Sequence, residues 1–210
     1  ALKKAAVAFA EQRKEPRMGP EQDIRALVVG SGPAGLAAAA ILRRSGLKVR
    51  MVEAESEPGG LLRWGVPDFD LPRQALRDEI QSLLDAGIDL SCGQRLEGIG
   101  EIDKAMAEGT RLVVLATGAG LGRPASMAGE DLEGCTDALR FSRRFAEGEV
   151  RLDRPVVVSG AGAMAVACAR LAKKAGAPAV HLLASVERSR MPADSELIAR
   201  AEVDGVALHC

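Results

Sequence analysis

One structural unit is encoded twice in this chain of 210 residues, and it restricts the possible folds more than any other feature. Each copy has an apolar strand, a glycine-rich turn, an alanine-rich helix and a second apolar strand. The turns read GSGPAG at 30–35 and GAGAMA at 160–165, so the copies lie 130 residues apart. Such a β-α-β unit has a right-handed crossover and parallel strands. The repeat therefore predicts an α/β fold with parallel sheets.

Apolar periodicity and turn residues predict the remaining elements. Strands are predicted at 24–29, 47–52, 88–91, 112–116, 156–159, 179–184 and 206–209. Helices are predicted at 1–13, 33–44, 72–86, 102–108, 137–145, 164–175 and 194–202, with a glycine-rich loop at 118–134. This order predicts a connecting helix and linker over 1–22, a first nucleotide-binding domain over 23–152 and a second over 153–210.

The first turn has the full G-x-G-x-x-G spacing between a strand and a helix. Gly30 permits the tight turn, Gly32 lets the backbone approach a pyrophosphate, and Gly35 lets the helix pack against the sheet. The phosphates would lie at a helix N-terminus, where amide groups and the helix dipole stabilise negative charge. Glu53 ends the second strand about 20 residues later, where a carboxylate accepts hydrogen bonds from ribose hydroxyls. This acid favours the unphosphorylated ribose of FAD or NAD over NADP.

The second turn has Ala165 in the third position, which the dinucleotide fingerprint permits. The region after its second strand contains Ser185, Glu187, Arg188 and Arg190, without a clear ribose-binding acid or phosphate-binding pair. Two interpretations of this copy therefore stand: a second dinucleotide site, or a retained fold that binds nucleotide poorly.

The composition argues against a nucleic-acid partner. The 28 basic and 29 acidic residues give a net charge of −1 without a block of like charge. Only five aromatic residues are available for base stacking. The longest apolar run, 35–42, is far shorter than the ~20 residues of a membrane span, so no span is predicted.

The spacing of cysteine and histidine does not support a metal site. The four cysteines are Cys92, Cys135, Cys168 and Cys210. None is closer than 33 residues to the next, so we interpret them as free thiols of a reducing compartment, the cytoplasm. His181 and His209 are interpreted as structural residues. No acid–base constellation occurs, and neither a catalytic residue nor a metal ligand is predicted.

Several segments outside the two turns have distinctive sequences. Residues 57–72 read EPGGLLRWGVPDFDLP, 115–118 read LATG, and 129–134 read GEDLEG. Further on, 189–193 read SRMPA and 204–206 read DGV. These segments, together with the helix at 1–10, resemble the glutamate synthase small (beta) subunit family of the pyridine nucleotide-disulfide oxidoreductase superfamily. The resemblance extends over nearly the whole chain.

The resemblance implies a Rossmann-like fold with an FAD-binding domain over 23–152 and an NAD(P)-binding domain over 153–210. The residues implied to hold FAD are Gly30, Gly32, Pro33, Ala34, Gly35, Glu53, Gly60, Leu61, Arg63, Thr117 and Gly118. Those implied to hold NAD(P)H are Gly160, Gly162, Ala163 and Met164. Hydride would pass from nicotinamide to flavin, and electrons would then leave singly toward the iron–sulfur clusters of a partner subunit.

The sequence also departs from the family's pattern. Family members show Gly-Gly-Gly-Asn and a following aspartate where this chain has GAGA at 160–163 and Ala167. They show a pair of arginines where this chain has Ser185 and Val186. The family's upstream iron–sulfur cysteines and its C-terminal segment are absent from this sequence, so we expect a truncated chain with an incomplete second domain.

Two hypotheses for function follow from these matches and departures. The leading one is an NAD(P)H-dependent FAD oxidoreductase that acts as a subunit of a larger complex. The alternative is a non-catalytic assembly subunit that retains the flavoprotein fold.

Overall fold

The computed structural model describes residues 19–120, 122 and 126–210. The helix predicted at 1–13, and with it most of the connecting segment at 1–22, lies outside the described residues. Within them, helices and strands alternate along the chain, and all strand pairings are parallel. The predicted α/β class with parallel sheets is confirmed.

The first half of the described chain contains four strands and four helices. In order, they are β1 (Arg25–Val29), α1 (Pro33–Arg44), β2 (Lys48–Val52), α2 (Leu61–Trp64), α3 (Arg73–Asp85), β3 (Asp89–Ser91), α4 (Ile99–Ala107) and β4 (Thr110–Leu115). The second half contains α5 (Ala138–Ala146), β5 (Val156–Ser159), α6 (Ala163–Lys174), β6 (Val180–Leu183), a 3-10 turn (Arg188–Arg190), α7 (Ser195–Val203) and β7 (Val206–His209).

The predicted boundaries differ from the structure most at α4. This helix begins at Ile99, although the sequence pattern predicts a start at Ile102. Gly100 lies inside the first turn, and because glycine costs a helix about 1 kcal/mol relative to alanine, it is read from sequence as a loop residue. The pattern also misses α2 and the 3-10 turn, since a single turn is too short to show an apolar period.

The first sheet has the strand order β3-β2-β1-β4. On one face, Val28 and Met51 pack in a cluster with Ala39 of α1. On the opposite face, Leu27 packs in a cluster with Ala105 of α4. Apolar helix residues thus cover both faces, as parallel sheets require, and the carboxyl ends of β1 and β2 lead into loops at one edge.

The second sheet has the strand order β5-β6-β7. Its core face, which includes Val180, Leu182 and Val206, packs in one cluster with residues of α6 and α7. Helix α6 is buried continuously from Ala165 to Ala172. Because most side chains in this stretch are small, the helix can lie close to the strands.

Compactness divides the chain into two units. The first comprises 19–58 and 79–117, and it holds the four-stranded sheet with the first glycine turn. The second comprises 59–78 and the described part of 118–210, and it holds the three-stranded sheet with the second turn. The predicted domains 23–152 and 153–210 are defined differently, with one cofactor assigned to each, and they remain a prediction.

Candidate dinucleotide-binding sites

The first glycine turn follows β1 directly, and two of its glycines are required by the fold. Gly30 has a φ of +99°, and a Cβ there would lie 2.3 Å from the carbonyl oxygen of Ala116. Its amide donates to the carbonyl of Val52 at 2.8 Å. At Gly35, a Cβ would lie 1.9 Å from the carbonyl oxygen of Gly30. These contacts explain the tight turn and the close approach of α1 that the sequence predicts.

Gly32 is different, because neither its backbone conformation nor its packing requires glycine. Its φ of −70° is ordinary for any residue, and a Cβ there would meet no other described atom within 4 Å. Gly32 is the N-cap of α1, where no described side chain caps the helix and the first turn contains no acidic residue. By contrast, α5 is capped by Asp137. The N-terminus of α1 therefore offers amide donors and open space to an anion.

Glu53 follows β2 and is held beside this turn. It is only 8% exposed, and its Oε2 accepts hydrogen bonds from the amide and the hydroxyl of Ser31, at 2.8 and 2.5 Å. Its Oε1 accepts from the amide of Glu55 at 2.9 Å. Burial opposes ionisation, but these hydrogen bonds outweigh it and hold the pKa of Glu53 below its usual value of 4.5. The ionised carboxylate is thus positioned to accept hydrogen bonds from a ribose.

The second turn repeats this arrangement with alanine at the third position. The amide of Gly160 donates to the carbonyl of Leu183 at 2.9 Å, and Gly160 has a φ of +144°. The third position is Ala165, and a Cβ on Gly160 would lie 2.9 Å from its methyl group, so the first glycine of this turn is required as well. Gly162 has a φ of −87° and, like Gly32, open space around its Cβ position among the described residues. It precedes α6, whose N-terminus also lacks a described side-chain cap.

The two sites differ after their second strands. Ala184 follows β6 as Glu53 follows β2, so the second site lacks both the ribose-binding acid and the charge that would repel a 2′-phosphate. Arg188 pairs with Glu202 through two hydrogen bonds of 3.0 and 2.8 Å. Arg190 is exposed, and its guanidinium has no ion-pair partner in the described part of the chain.

The double-glycine segment forms a short helix held by an arginine that sequence reasoning missed. Gly60 has a φ of +51° and is the N-cap of α2, in which Leu61 and Arg63 are half-buried. The guanidinium of Arg73 donates to the carbonyl of Leu62 at 2.9 Å and to a second carbonyl, that of residue 66, at 3.0 Å. Arg73 thus satisfies backbone acceptors that a one-turn helix leaves unpaired.

A buried ion cluster, also missed from sequence, ties this segment to α6 within the second unit. Arg170 is 6% exposed and donates to Asp70 at 2.7 Å and to Asp204 at 2.6 Å. Its guanidinium also lies over the ring of Phe69, 4.3 Å from the centroid. Arg200 approaches Asp70 at 3.4 Å. One feature of the sequence could have indicated this cluster: Arg170 interrupts an otherwise apolar, alanine-rich helix, and a buried charge requires a partner.

The remaining predicted residues lie in the first turns of α1 and α6 and after β4. Pro33 and Ala34 are exposed in the first turn of α1, and Ala163 and Met164 begin α6. Thr117 follows β4 in the first unit. The predicted binding residues therefore divide between the two units. The first unit contains residues 30–35, which lie beside Glu53, and it also contains Thr117. The second unit holds Gly60, Leu61, Arg63, Gly118 and 160–164.

The four cysteines are unpaired thiols, as predicted. Burial raises the pKa of Cys168 to about 11, so that thiol stays protonated. None of the helices in the described part of the chain combines the length and apolar character needed to cross a bilayer. The described residues also contain no group of three or more histidine, cysteine or acidic side chains placed to hold a metal ion.

The fold and the two turns define a class of α/β proteins with paired dinucleotide sites at the carboxyl ends of parallel strands. The sequence pattern of the family described as pyridine nucleotide-disulphide oxidoreductase matches residues 24–209, and the chain belongs to this family. The resemblance inferred from the sequence segments is thereby confirmed. FAD and NAD(P)H are the cofactors of this family, as expected from the two turns.

Two relatives illustrate the similarity. The NADP(+)-dependent formate dehydrogenase subunit beta of Moorella thermoacetica is 34% identical over 191 residues, which cover 87% of this chain and 26% of the relative. The glutamate synthase (NADPH) small chain of Mycobacterium tuberculosis is 34% identical over 184 residues, which cover 81% of this chain and 37% of the relative. The chain thus spans about a quarter of the first relative and more than a third of the second.

The fold is also found in solved structures. FprA of Mycobacterium tuberculosis in complex with NADPH superposes with a TM-score of 0.71 at 19% identity. The matched region covers 87% of this chain and 48% of FprA. This likeness shows the same Rossmann-like arrangement.

Proposed function

We propose that this chain is the cofactor-binding part of an NAD(P)H-dependent FAD oxidoreductase, with FAD at the first glycine turn and NAD(P)H at the second. The names of its relatives describe a beta subunit and a small chain, which supports a role as one subunit of a larger complex. Electrons would pass from this chain to the iron–sulfur clusters of a partner. The unpaired thiols support a reducing compartment, the cytoplasm.

One observation carries the proposal: Gly32 and Gly162 are glycines that the fold itself does not need. Both have φ values open to any residue, and both have empty space at the Cβ position among the described residues. Each also precedes a helix without a described side-chain cap. A ligand that approaches the backbone closely explains all three properties, because a pyrophosphate occupies this space and accepts from the helix amides.

The residues of the chain would act by binding and orientation. FAD, when bound, supplies hydride acceptance and single-electron release, so the protein needs no acid–base pair of its own. Glu53 would accept hydrogen bonds from the adenosine ribose, and the N-terminus of α1 would hold the pyrophosphate. Gly60, Leu61, Arg63, Thr117 and Gly118 complete the proposed flavin set.

The second site would accept NADPH as well as NADH. Ala184 carries no charge, so no carboxylate at this position would repel a 2′-phosphate. Arg190 is an exposed cation without an ion-pair partner among the described residues, and it could attract that phosphate. Proposed contacts to the dinucleotide come from Gly160, Gly162, Ala163 and Met164.

The variant Gly32→Ala tests the first site without disturbing the fold. We expect only a small decrease in the thermal unfolding midpoint, because the added methyl group has room although alanine is a poorer N-cap than glycine. FAD affinity should fall at least about tenfold, since a methyl group at the pyrophosphate interrupts charge-assisted hydrogen bonds of about 1.5–3 kcal/mol each. Flavin content after reconstitution and gel filtration measures this. A wild-type chain that retains no flavin, or a variant that retains it normally, would contradict the proposed flavin site.

The matched variant Gly162→Ala tests the second site. It should retain flavin but lose the bleaching of flavin absorbance that NADH or NADPH produces in the wild-type chain. If the wild-type chain binds flavin and neither nucleotide bleaches it, the non-catalytic assembly subunit becomes the better interpretation, because the second turn would then be a retained fold only.

A further inference from the structure

Ser31 and Glu53 are a polar pair that distinguishes the first glycine turn from the second. Ser31 is the second residue of the turn GSGPAG, and 0% of its surface is exposed. In the second turn the same position is Ala161, and Ala184 follows β6 where Glu53 follows β2. One copy of the unit therefore has both a hydroxyl and a carboxylate, and the other copy has a methyl group at each of these positions.

The hydroxyl of Ser31 holds one oxygen of the carboxylate. It donates to Oε2 of Glu53 at 2.5 Å, within the ~2.5–2.7 Å range of charge-assisted O–H···O⁻ bonds. The amide of Ser31 donates to the same oxygen at 2.8 Å, and the amide of Glu55 donates to Oε1 at 2.9 Å. Since both oxygens have a donor in the fold, the orientation of the carboxylate is set before a ligand arrives, and its remaining lone pairs face outward in one direction.

The hydroxyl is the part of this arrangement that depends on the side chain at position 31. The two amides would remain with any residue there, whereas only serine, threonine or cysteine could supply the third donor. Because Ser31 is completely buried, its side chain acts on a ligand through Glu53 rather than by direct contact. Alanine at the equivalent position of the second turn agrees with this role, since Ala184 offers no acid to hold.

We propose that Ser31 is a positioning residue of the first site, which orients the carboxylate of Glu53 toward the ribose hydroxyls of FAD. The role rests on the proposed function, because it requires FAD at the first glycine turn. The hydroxyl bond also lowers the pKa of Glu53, so its loss should raise that pKa. Ser31 would thereby keep the acid both oriented and ionised.

The experiment is a fluorescence titration of the flavin-free chain with FAD, in a double-mutant cycle of Ser31→Ala and Glu53→Ala. At neutral pH, Ser31→Ala should weaken FAD binding about threefold to tenfold, because a less firmly held carboxylate binds the ribose less well. Glu53→Ala should weaken it more, and adding Ser31→Ala to Glu53→Ala should have no further effect. Ser142→Ala is the matched control, since Ser142 is equally buried but lies in α5 of the second unit.

The pH profile of FAD affinity separates positioning from a general loss of packing. Affinity of the wild-type chain should fall as the pH decreases through the pKa of Glu53, because a protonated carboxyl has lost an acceptor position. In Ser31→Ala this fall should begin about one pH unit higher, since the carboxylate has lost a hydrogen bond. Ser31→Cys, whose thiol is a weaker donor, should shift the profile in the same direction and provides a second variant.

The outcomes distinguish this role from the proposed function. A wild-type chain that binds no FAD would overturn both. If the wild-type chain binds FAD and Glu53→Ala weakens binding, but neither Ser31 variant changes the affinity or the pH profile, the positioning role fails while the flavin site stands. The role also fails if Ser31→Ala weakens binding further in the Glu53→Ala background, because Ser31 would then act independently of Glu53.

Discussion

At the residue scale, glycine occurs in the first turn for two different physical reasons. Gly30 and Gly35 are glycines because a side chain would collide with backbone oxygens within 2.3 Å. Gly32 has no such neighbour among the described residues, so its role concerns what approaches from outside the fold. The G-x-G-x-x-G pattern predicts this division, and the coordinates support it for Gly30 and Gly35 through the backbone oxygens that a side chain would meet.

Glu53 is the acidic residue of the proposed first site, and its ionisation contributes to stability. Its pKa lies below the usual 4.5 in the folded chain, because Ser31 and the amide of Glu55 donate to the carboxylate. The folded state thus binds the proton more weakly than the unfolded state. This contribution is present above about pH 4.5 and is lost as the pH falls through the lowered pKa.

We therefore predict a pH-dependent effect of Glu53→Gln. At neutral pH the variant should unfold at a lower temperature, with a free energy of unfolding lower by about 1.5–3 kcal/mol. The reason is that the side-chain nitrogen of the glutamine then faces a donor, at Ser31 or at the amide of Glu55. The difference from the wild-type chain should shrink below pH 4.5. Thermal unfolding followed by circular dichroism from pH 7 to pH 3 measures it, with exposed Glu133→Gln as the control. Equal midpoints for Glu53→Gln and the wild-type chain at neutral pH would refute the stabilising role.

At the element scale, the two β-α-β units share a hydrogen-bonded turn but differ in helix packing. In both, the first glycine amide donates to the last carbonyl of the next strand, Val52 or Leu183. At Gly35 of α1 a Cβ would meet the carbonyl oxygen of Gly30, whereas α6 already carries a methyl group at the equivalent residue, Ala165. Substitutions at this third position should therefore have unequal effects.

Gly35→Ala is expected to destabilise the chain by about 1–3 kcal/mol or more, because a Cβ 1.9 Å from a carbonyl oxygen forces a backbone shift. The reciprocal change, Ala165→Gly, should cost only about 0.5–1 kcal/mol, the conformational entropy of glycine in a helix. Urea unfolding of both variants measures the two free energies. Similar losses in the two variants would show that the two turns pack alike, contrary to the structure.

At the scale of the whole molecule, Arg170 connects parts of the chain that are far apart in sequence. Asp70 lies 100 residues before it and Asp204 lies 34 residues after it, yet all three side chains meet within the second unit. The guanidinium is nearly removed from water, and its ion pairs with the two carboxylates offset the cost of burying its charge. This cluster fixes the double-glycine segment against α6.

Arg170→Ala should destabilise the chain by about 1.5–3 kcal/mol, because it removes charge-assisted hydrogen bonds to Asp70 and Asp204 and leaves Asp70 with only the longer contact to Arg200. Arg188→Ala, which breaks the exposed pair with Glu202, should have a much smaller effect, since solvent screens that pair. Chemical unfolding of both variants, with Asp204→Asn as a milder change, tests the ranking. The cluster would lose its assigned role if Arg170→Ala were as stable as Arg188→Ala.

Local patterns predicted much of the fold and of the candidate sites. The alternation of apolar strands and alanine-rich helices placed nearly every element, because burial on a parallel sheet follows directly from local composition. The glycine turns and Glu53 were predicted because their spacing is short. Arg73 and Arg170 were missed, since their partners lie elsewhere in the sequence or on the backbone, and a one-turn helix such as α2 has no period to detect.

The sequence by itself determined the repeated β-α-β unit, the family and the positions of the glycine turns, because each depends on residues close together in the chain. Only the tertiary structure decided that Arg170 meets Asp70 and Asp204, that Arg73 holds the one-turn helix α2, and that His181 and His209 face each other. These outcomes depend on strand register and helix packing, which bring distant residues within a few ångströms of one another and leave no mark in any local pattern.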